Sequence, residues 1–102
     1  MEEITSIEHF RDIVNDNEYV FMDVYAEWCG PCKKMAPKIE GLIDDHPNVK
    51  FIKLDMDKFP KLSKDLGVKY LPTFILFDEG CDMGNRVEKA DFEKVKALLK
   101  GY

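Results

Sequence analysis

At 102 residues, 45% of them hydrophobic, the chain has the length of one domain and enough apolar content for a modest core, which argues against disorder. Fifteen basic residues against 20 acidic ones leave a net charge of −5, so nonspecific binding to nucleic acid or to an anionic membrane is not expected. Three cysteines are too few for a secreted disulfide scaffold, and no apolar run reaches membrane-spanning length. Met1-Glu2-Glu3-Ile4 has neither the basic head nor the apolar stretch of a signal peptide, and the expected setting is reducing and cytoplasmic.

In chain order, Glu3, Ile4 and Thr5 read as a short edge strand. Thr5 with Glu8 fits a capping box, and Ile7, Phe10, Ile13 and Val14 line one face of a first helix. After the polar break Asn15-Asp16-Asn17-Glu18, residues 19–25 form an apolar, β-branched and aromatic run expected to be a buried central strand. A second helix is predicted from about Pro31 to Asp45, with Met35, Ile39, Leu42 and Ile43 inward and a kink at Pro37. Residues 49–54 read as a third strand. Asp57 is placed to cap a short helix over 58–66, with Phe59, Leu62 and Leu66 inward and Gly67 closing it. Residues 72–77 are a fourth strand, Asp78-Glu79-Gly80 a turn, and 83–87 a weak fifth strand. Asp91 caps a last helix with Phe92, Val95, Leu98 and Leu99 inward. This order predicts an α/β domain spanning 1–102, its helices covering a sheet that is part parallel and ends in a hairpin.

Trp28-Cys29-Gly30-Pro31-Cys32-Lys33 lies where the central strand turns into the second helix. Two cysteines at this spacing either close a reversible disulfide or supply half of a zinc site. The other candidate ligands, Cys81, His9 and His46, are single and scattered, so redox chemistry is favoured and no metal is expected. Cys29 falls at the helix start, where unpaired N–H groups and the helix dipole favour an anion, and the thiolate is the nucleophile of disulfide exchange. Cys29 is therefore expected at an exposed entrance, with Cys32 partly covered one turn inward as the resolving thiol. Pro31 fixes φ in the first helical turn. Asp23 interrupts a buried run; desolvation should raise its pKa, unless it faces solvent or joins a core ion pair. Lys53 is either a partner that opposes this rise or a solvated strand lysine. Tyr25 and Met35 read as core. No Gly-rich phosphate loop is present, so no bound cofactor is expected.

The segment from Asp23 to Lys34 resembles thioredoxin, with further matches at Lys53, Leu71-Pro72-Thr73 and Gly80; the resemblance covers essentially the whole chain. It implies a thioredoxin-like fold, a five-stranded mixed sheet flanked by four helices, and a monomeric thiol–disulfide oxidoreductase that reduces protein disulfides. It implies that Cys29 attacks, that Cys32 resolves, that Asp23 accepts the proton of Cys32, and that Lys53 tunes Asp23. Substrate would dock against Trp28, Gly30, Pro31, Leu71, Pro72 and Thr73, with Pro72 in the cis form and the Leu71 backbone pairing with an extended segment. Gly30-Pro31 resembles the reducing members rather than the oxidising disulfide isomerases. Electrons would come from NADPH through thioredoxin reductase. Glu88 departs from the family, which usually carries glycine there; its bulk and charge should weaken the docking of acidic partners. Cys81 is expected near a turn, as a free thiol or a site of intermolecular disulfides. Two rivals to this activity are a secretory oxidase or isomerase and a binding module that uses the fold without its chemistry.

Overall fold

A computed structural model describes residues 1–102. The elements are β1 (Glu2–Glu3), α1 (Ile7–Asp16), β2 (Tyr19–Tyr25), α2 (Gly30–Glu40), a 3₁₀ turn (Ile43–Asp45), β3 (Val49–Asp55), α3 (Pro60–Asp65), β4 (Thr73–Asp78), β5 (Cys81–Val87) and α4 (Phe92–Leu99). The five strands form one sheet in the order β1-β3-β2-β4-β5. β1, β3 and β2 run parallel, and β4 and β5 join antiparallel. The central position of β2 explains its nearly continuous burial. It is flanked by β3 and β4, and both of its faces are covered.

Side-chain alternation sorts the core into two layers. Val20, Met22 and Val24 of β2 face α1 and α3, in a cluster with Phe10, Ile13, Val14, Ile52, Leu54, Ile75 and Phe77. Phe21 faces the other way, with Met35 and Ile39 of α2, Phe51, Phe74, Leu76, and Val95 and Leu99 of α4. Each of these Val, Ile, Leu or Phe side chains contributes about 1.5–3 kcal/mol relative to exposure. By the same alternation Asp23 shares the face of Phe21, the α2 side, and this brings it beneath the cysteines.

Several expected boundaries move, each for a local reason. Ser6, not Thr5, caps α1: its Oγ accepts from the His9 N–H at 2.9 Å, while the Thr5 N–H donates to His9 Nδ1 at 3.0 Å. β1 is confined to residues 2–3, because Ile4 turns into the core and is fully buried. α2 ends at Glu40 rather than Asp45. Pro37 removes one helical donor, Gly41 follows as a poor helix former, and the chain resumes only as the 3₁₀ turn, leaving Ile43 half-buried. Asp57 does not cap α3, which starts at Pro60 with no side-chain cap. The Asp57 carboxylate is engaged elsewhere, by Trp28. Asp91 does cap α4, accepting from the Lys94 N–H at 3.1 Å. The β4–β5 hairpin turns at Glu79 and Gly80, both with positive φ (50° and 81°), the pattern of the hairpin turn that matches strand twist. β5 starts at Cys81, earlier than expected. Its pairing shifts between Ile75 and Phe77, opposite which Met83, Gly84 and Asn85 bulge outward.

Candidate active site

β2 ends at Tyr25 and α2 begins at Gly30, so the four residues between them carry the chain onto the helix. Cys29 is the N-cap of α2, in an extended conformation (φ −82°, ψ 106°). Its backbone N–H donates to Ala26 O at 3.1 Å, and its carbonyl accepts from the Lys33 N–H at 3.2 Å. Pro31 lies in the first turn, where a missing N–H costs nothing. Cys29 and Cys32 are joined in a disulfide, Cα to Cα 5.3 Å. The Cys32 N–H points at Cys29 Sγ at 3.3 Å. A thiolate at that sulfur would receive this N–H and the positive end of the helix, both of which favour the anion.

The two sulfurs are not divided into an exposed and a covered one. Cys29 is 4% exposed and Cys32 5%. With Ala26 they make a small buried cluster on which Leu71 and Tyr25 pack, so the disulfide lies in a shallow recess. Trp28 is 67% exposed, and its indole N–H donates to Asp57 Oδ2 at 2.8 Å, which fixes the ring at the rim. A Cβ built on Gly30 would meet nothing, so the approach to the disulfide is open on that side. The Leu71–Pro72 peptide is cis. Thr73 is fully buried and its hydroxyl donates to Tyr70 O at 2.6 Å. The Leu71 N–H and C=O make no hydrogen bond within the chain, and Leu71 lies against the cysteine cluster. Exposed Tyr70 stands beside it. Glu88 is exposed and follows Val87, the register partner of Phe74; continued by one residue, that register sets Glu88 opposite Thr73.

Asp23 is 5% exposed, and its Oδ1 has no hydrogen-bond partner. Burial pushes its pKa from 3.8 up to about 7; the Lys53 cation opposes that rise, and the Glu3 carboxylate adds to it. Lys53 is the register partner of Asp23 on β3, yet its ammonium pairs with Glu3 Oε1 at 3.6 Å. A cavity of about 400 Å³ opens between β2 and α2, and Asp23, Lys53, Tyr25 and Cys32 all line it. Tyr25 is thus not plain core. It is half-buried, and its hydroxyl donates to both Glu3 oxygens at 2.7 and 2.9 Å. Met35 is core, as expected. Cys81 is a free, exposed thiol on β5. Three residues beside the site, Asp57, Tyr70 and Glu3, were beyond the sequence reading. Their positions depend on which strand neighbours which, and only the adjacency of Tyr70 to Leu71-Pro72 could have signalled one of them.

A disulfide at a helix N-terminus, packed against a cis-proline loop on a five-stranded mixed sheet, places the chain in the class of thioredoxin-fold proteins with a Cys-x-x-Cys site. The Thioredoxin family model matches residues 2–101, and the chain belongs to the thioredoxin family. It is 36% identical over 102 residues to a thioredoxin of Chlamydia muridarum, covering 100% of this chain and 99% of that one. It is 35% identical over 96 residues to Thioredoxin-2 of Pyricularia oryzae, covering 94% of this chain but spanning only 56% of the length of that relative. The crystal structure of oxidised mitochondrial thioredoxin 3 from Saccharomyces cerevisiae superposes with a TM-score of 0.93 at 33% identity, covering 100% of this chain and 95% of that one. Thioredoxins carry no prosthetic cofactor; the redox group is the cysteine pair. No helix is long and apolar enough to cross a membrane.

Proposed function

We propose that the protein reduces disulfides of other proteins by a two-step exchange at Cys29 and Cys32. The Cys29 thiolate attacks one sulfur of the substrate disulfide, forming a mixed disulfide and expelling the other substrate sulfur, which takes a proton from solvent. Asp23 accepts the proton of the Cys32 thiol across the cavity they share. The Cys32 sulfur then attacks Cys29 Sγ, closing the Cys29–Cys32 disulfide and expelling the second substrate thiolate. Two electrons pass to the substrate, which leaves as a dithiol. The observation that carries this assignment is that Asp23, with an unpartnered Oδ1 and a pKa near 7, opens onto the same cavity as Cys32. A general base is most effective when its pKa lies near the working pH.

Docking would use the unpaired Leu71 N–H and C=O for a short strand addition, with Pro72 and Thr73 below it, Trp28 as apolar rim and the open side at Gly30-Pro31. Lys53 would tune Asp23, and Glu88 would bias partner choice. NADPH-dependent thioredoxin reductase is the proposed electron source, and the proposed state is a monomer in the cytoplasm. The compartment is supported by cysteine usage, one redox pair and one free thiol. Reduction of insulin disulfides with dithiothreitol is the test. Wild type should accelerate it, Cys29→Ser should abolish the acceleration, and Cys32→Ser should trap the mixed disulfide. Activity retained by Cys29→Ser would overturn the assignment. Asp23→Asn should slow the resolving step by on the order of a hundredfold or more.

A further inference from the structure

Glu3, Lys53 and Asp23 form one rung across three parallel strands: Glu3 on β1 is the register partner of Lys53 on β3, which is in turn the partner of Asp23 on β2. One cation therefore stands between two carboxylates. It makes its ion pair with Glu3, at 3.6 Å, and none with Asp23. Two features keep it there. The Tyr25 hydroxyl donates to both oxygens of Glu3, at 2.7 and 2.9 Å, and so holds that carboxylate in place. The Lys53 ammonium also lies over the ring of Tyr25, the same residue that holds Glu3, 5.7 Å from its centre. Asp23, buried at the wall of the cavity, keeps Oδ1 free.

We propose that Glu3 is a positioning residue for the proton acceptor: with Tyr25 it holds Lys53 on the outer side of the rung, so that the Asp23 carboxyl faces Cys32 without a cationic partner. Without Glu3, the Lys53 ammonium would be free to swing to Asp23, whose carboxylate it would stabilise and make a weaker base. The other groups around the cavity do not substitute for this control. The Met1 ammonium is paired with Glu40 at 3.2 Å, while Lys33, on the first turn of α2, makes no ion pair; Glu27 adds a carboxylate at the cavity wall. Of the cations lining the cavity, Lys53 alone shares the rung with Asp23. The inference deepens the proton-acceptor role assigned to Asp23 and rests on it.

The experiment is a carbon-detected NMR titration of the Asp23 carboxyl in the full chain, reduced, as wild type, Glu3→Gln, Lys53→Met and the double variant. Glu3→Gln keeps an acceptor for Tyr25 but no charge for Lys53, so the midpoint of Asp23 should fall by about one pH unit, a tenfold loss of proton affinity. In the Lys53→Met background the same change should lower the midpoint by clearly less, because only the direct Coulomb effect of the Glu3 charge is lost and no cation remains to be redirected. An Asp23 midpoint that is unmoved or raised in Glu3→Gln, or that falls equally in both backgrounds, overturns the proposal. Tyr25→Phe unties the same carboxylate without touching β1 and must lower the midpoint as well; no change there also overturns it. The turnover of Asp23→Asn decides separately whether Asp23 is the proton acceptor, since the titration reports on Glu3 whatever that turnover shows.

Discussion

The indole N–H of Trp28 donates to the carboxylate of Asp57 at 2.8 Å, tying the loop that carries the cysteines to the turn after β3. Asp57 is itself set by its own N–H, which donates to Asp55 Oδ1 at 2.9 Å, and Asp55 is buried. Trp28 is the single tryptophan, so its fluorescence reports on this one site, provided that the redox state of the neighbouring cysteines is held fixed. Asp57→Ala should change the emission spectrum and cost no more than about 1 kcal/mol in urea unfolding, as befits one exposed charge-assisted bond. Insulin reduction should slow, since a rim residue with rotational freedom pays more to dock. Unaltered emission would show that the bond does not persist in solution.

Asp23 makes stability depend on pH. Its pKa is raised from 3.8 in the unfolded chain to about 7 in the fold, so the folded state holds the proton more tightly. This favours folding fully below about pH 4 and is lost as pH rises through about 7. Asp23→Ala should therefore stabilise the protein by about 2–4 kcal/mol at pH 8, a gain that disappears at pH 4. Urea denaturation at the two pH values checks this. A gain of equal size at both would mean that packing, not ionisation, sets the cost.

Glu88 should act through encounter rather than chemistry. It is exposed and sits opposite Thr73 at the edge of the recess. Glu88→Lys should speed reduction of an acidic disulfide peptide and slow that of a basic one, each by about threefold to tenfold at low salt. The difference should collapse at high ionic strength. Equal rates for both peptides in both proteins would remove Glu88 from partner choice.

The start of α1 offers a stability test independent of the site. Ser6→Ala removes the hydroxyl that accepts from the His9 N–H and should cost about 1 kcal/mol. Thr5→Ala should cost less, because alanine keeps the Thr5 N–H bond to His9 Nδ1 and loses only the exposed 3.2 Å contact of Thr5 Oγ1 with the same nitrogen.

Residues 19–25 are legible in the sequence as a buried strand because a run of Val, Phe, Met and Tyr has few other places to go, and Trp28 to Lys33 announces its chemistry by residue type alone. The fold expected from the thioredoxin resemblance is the one found, including the cis Leu71–Pro72 bond. Asp23 stands out for the same reason that it is costly: a carboxyl inside an apolar strand. Capping residues are less legible. Thr5 and Ser6, or Asp57 and the backbone before Pro60, offer the same chemistry one or two residues apart, and tertiary partners decide between them. Of the Glu3–Lys53–Asp23 rung the sequence offers Lys53 as a partner of Asp23, but not Glu3, because parallel register brings in a residue 20 positions from Asp23 through a strand that does not touch β2. The burial of Cys29 is not legible in the motif itself, because Leu71 and Tyr25, which pack on the cysteine cluster, lie outside the helix that carries it.

The outward bulge at Met83 to Asn85 matters beyond its own hairpin. A sheet with two free margins can recruit a foreign chain at either, which is how soluble proteins begin to form fibres. Here one margin is a strand of only two residues and the other is buckled, so neither makes a good template. On the proposed mode of docking, the unpaired main-chain groups of Leu71 would be left as the place where a visiting strand adds, against the cysteine cluster on which Leu71 packs.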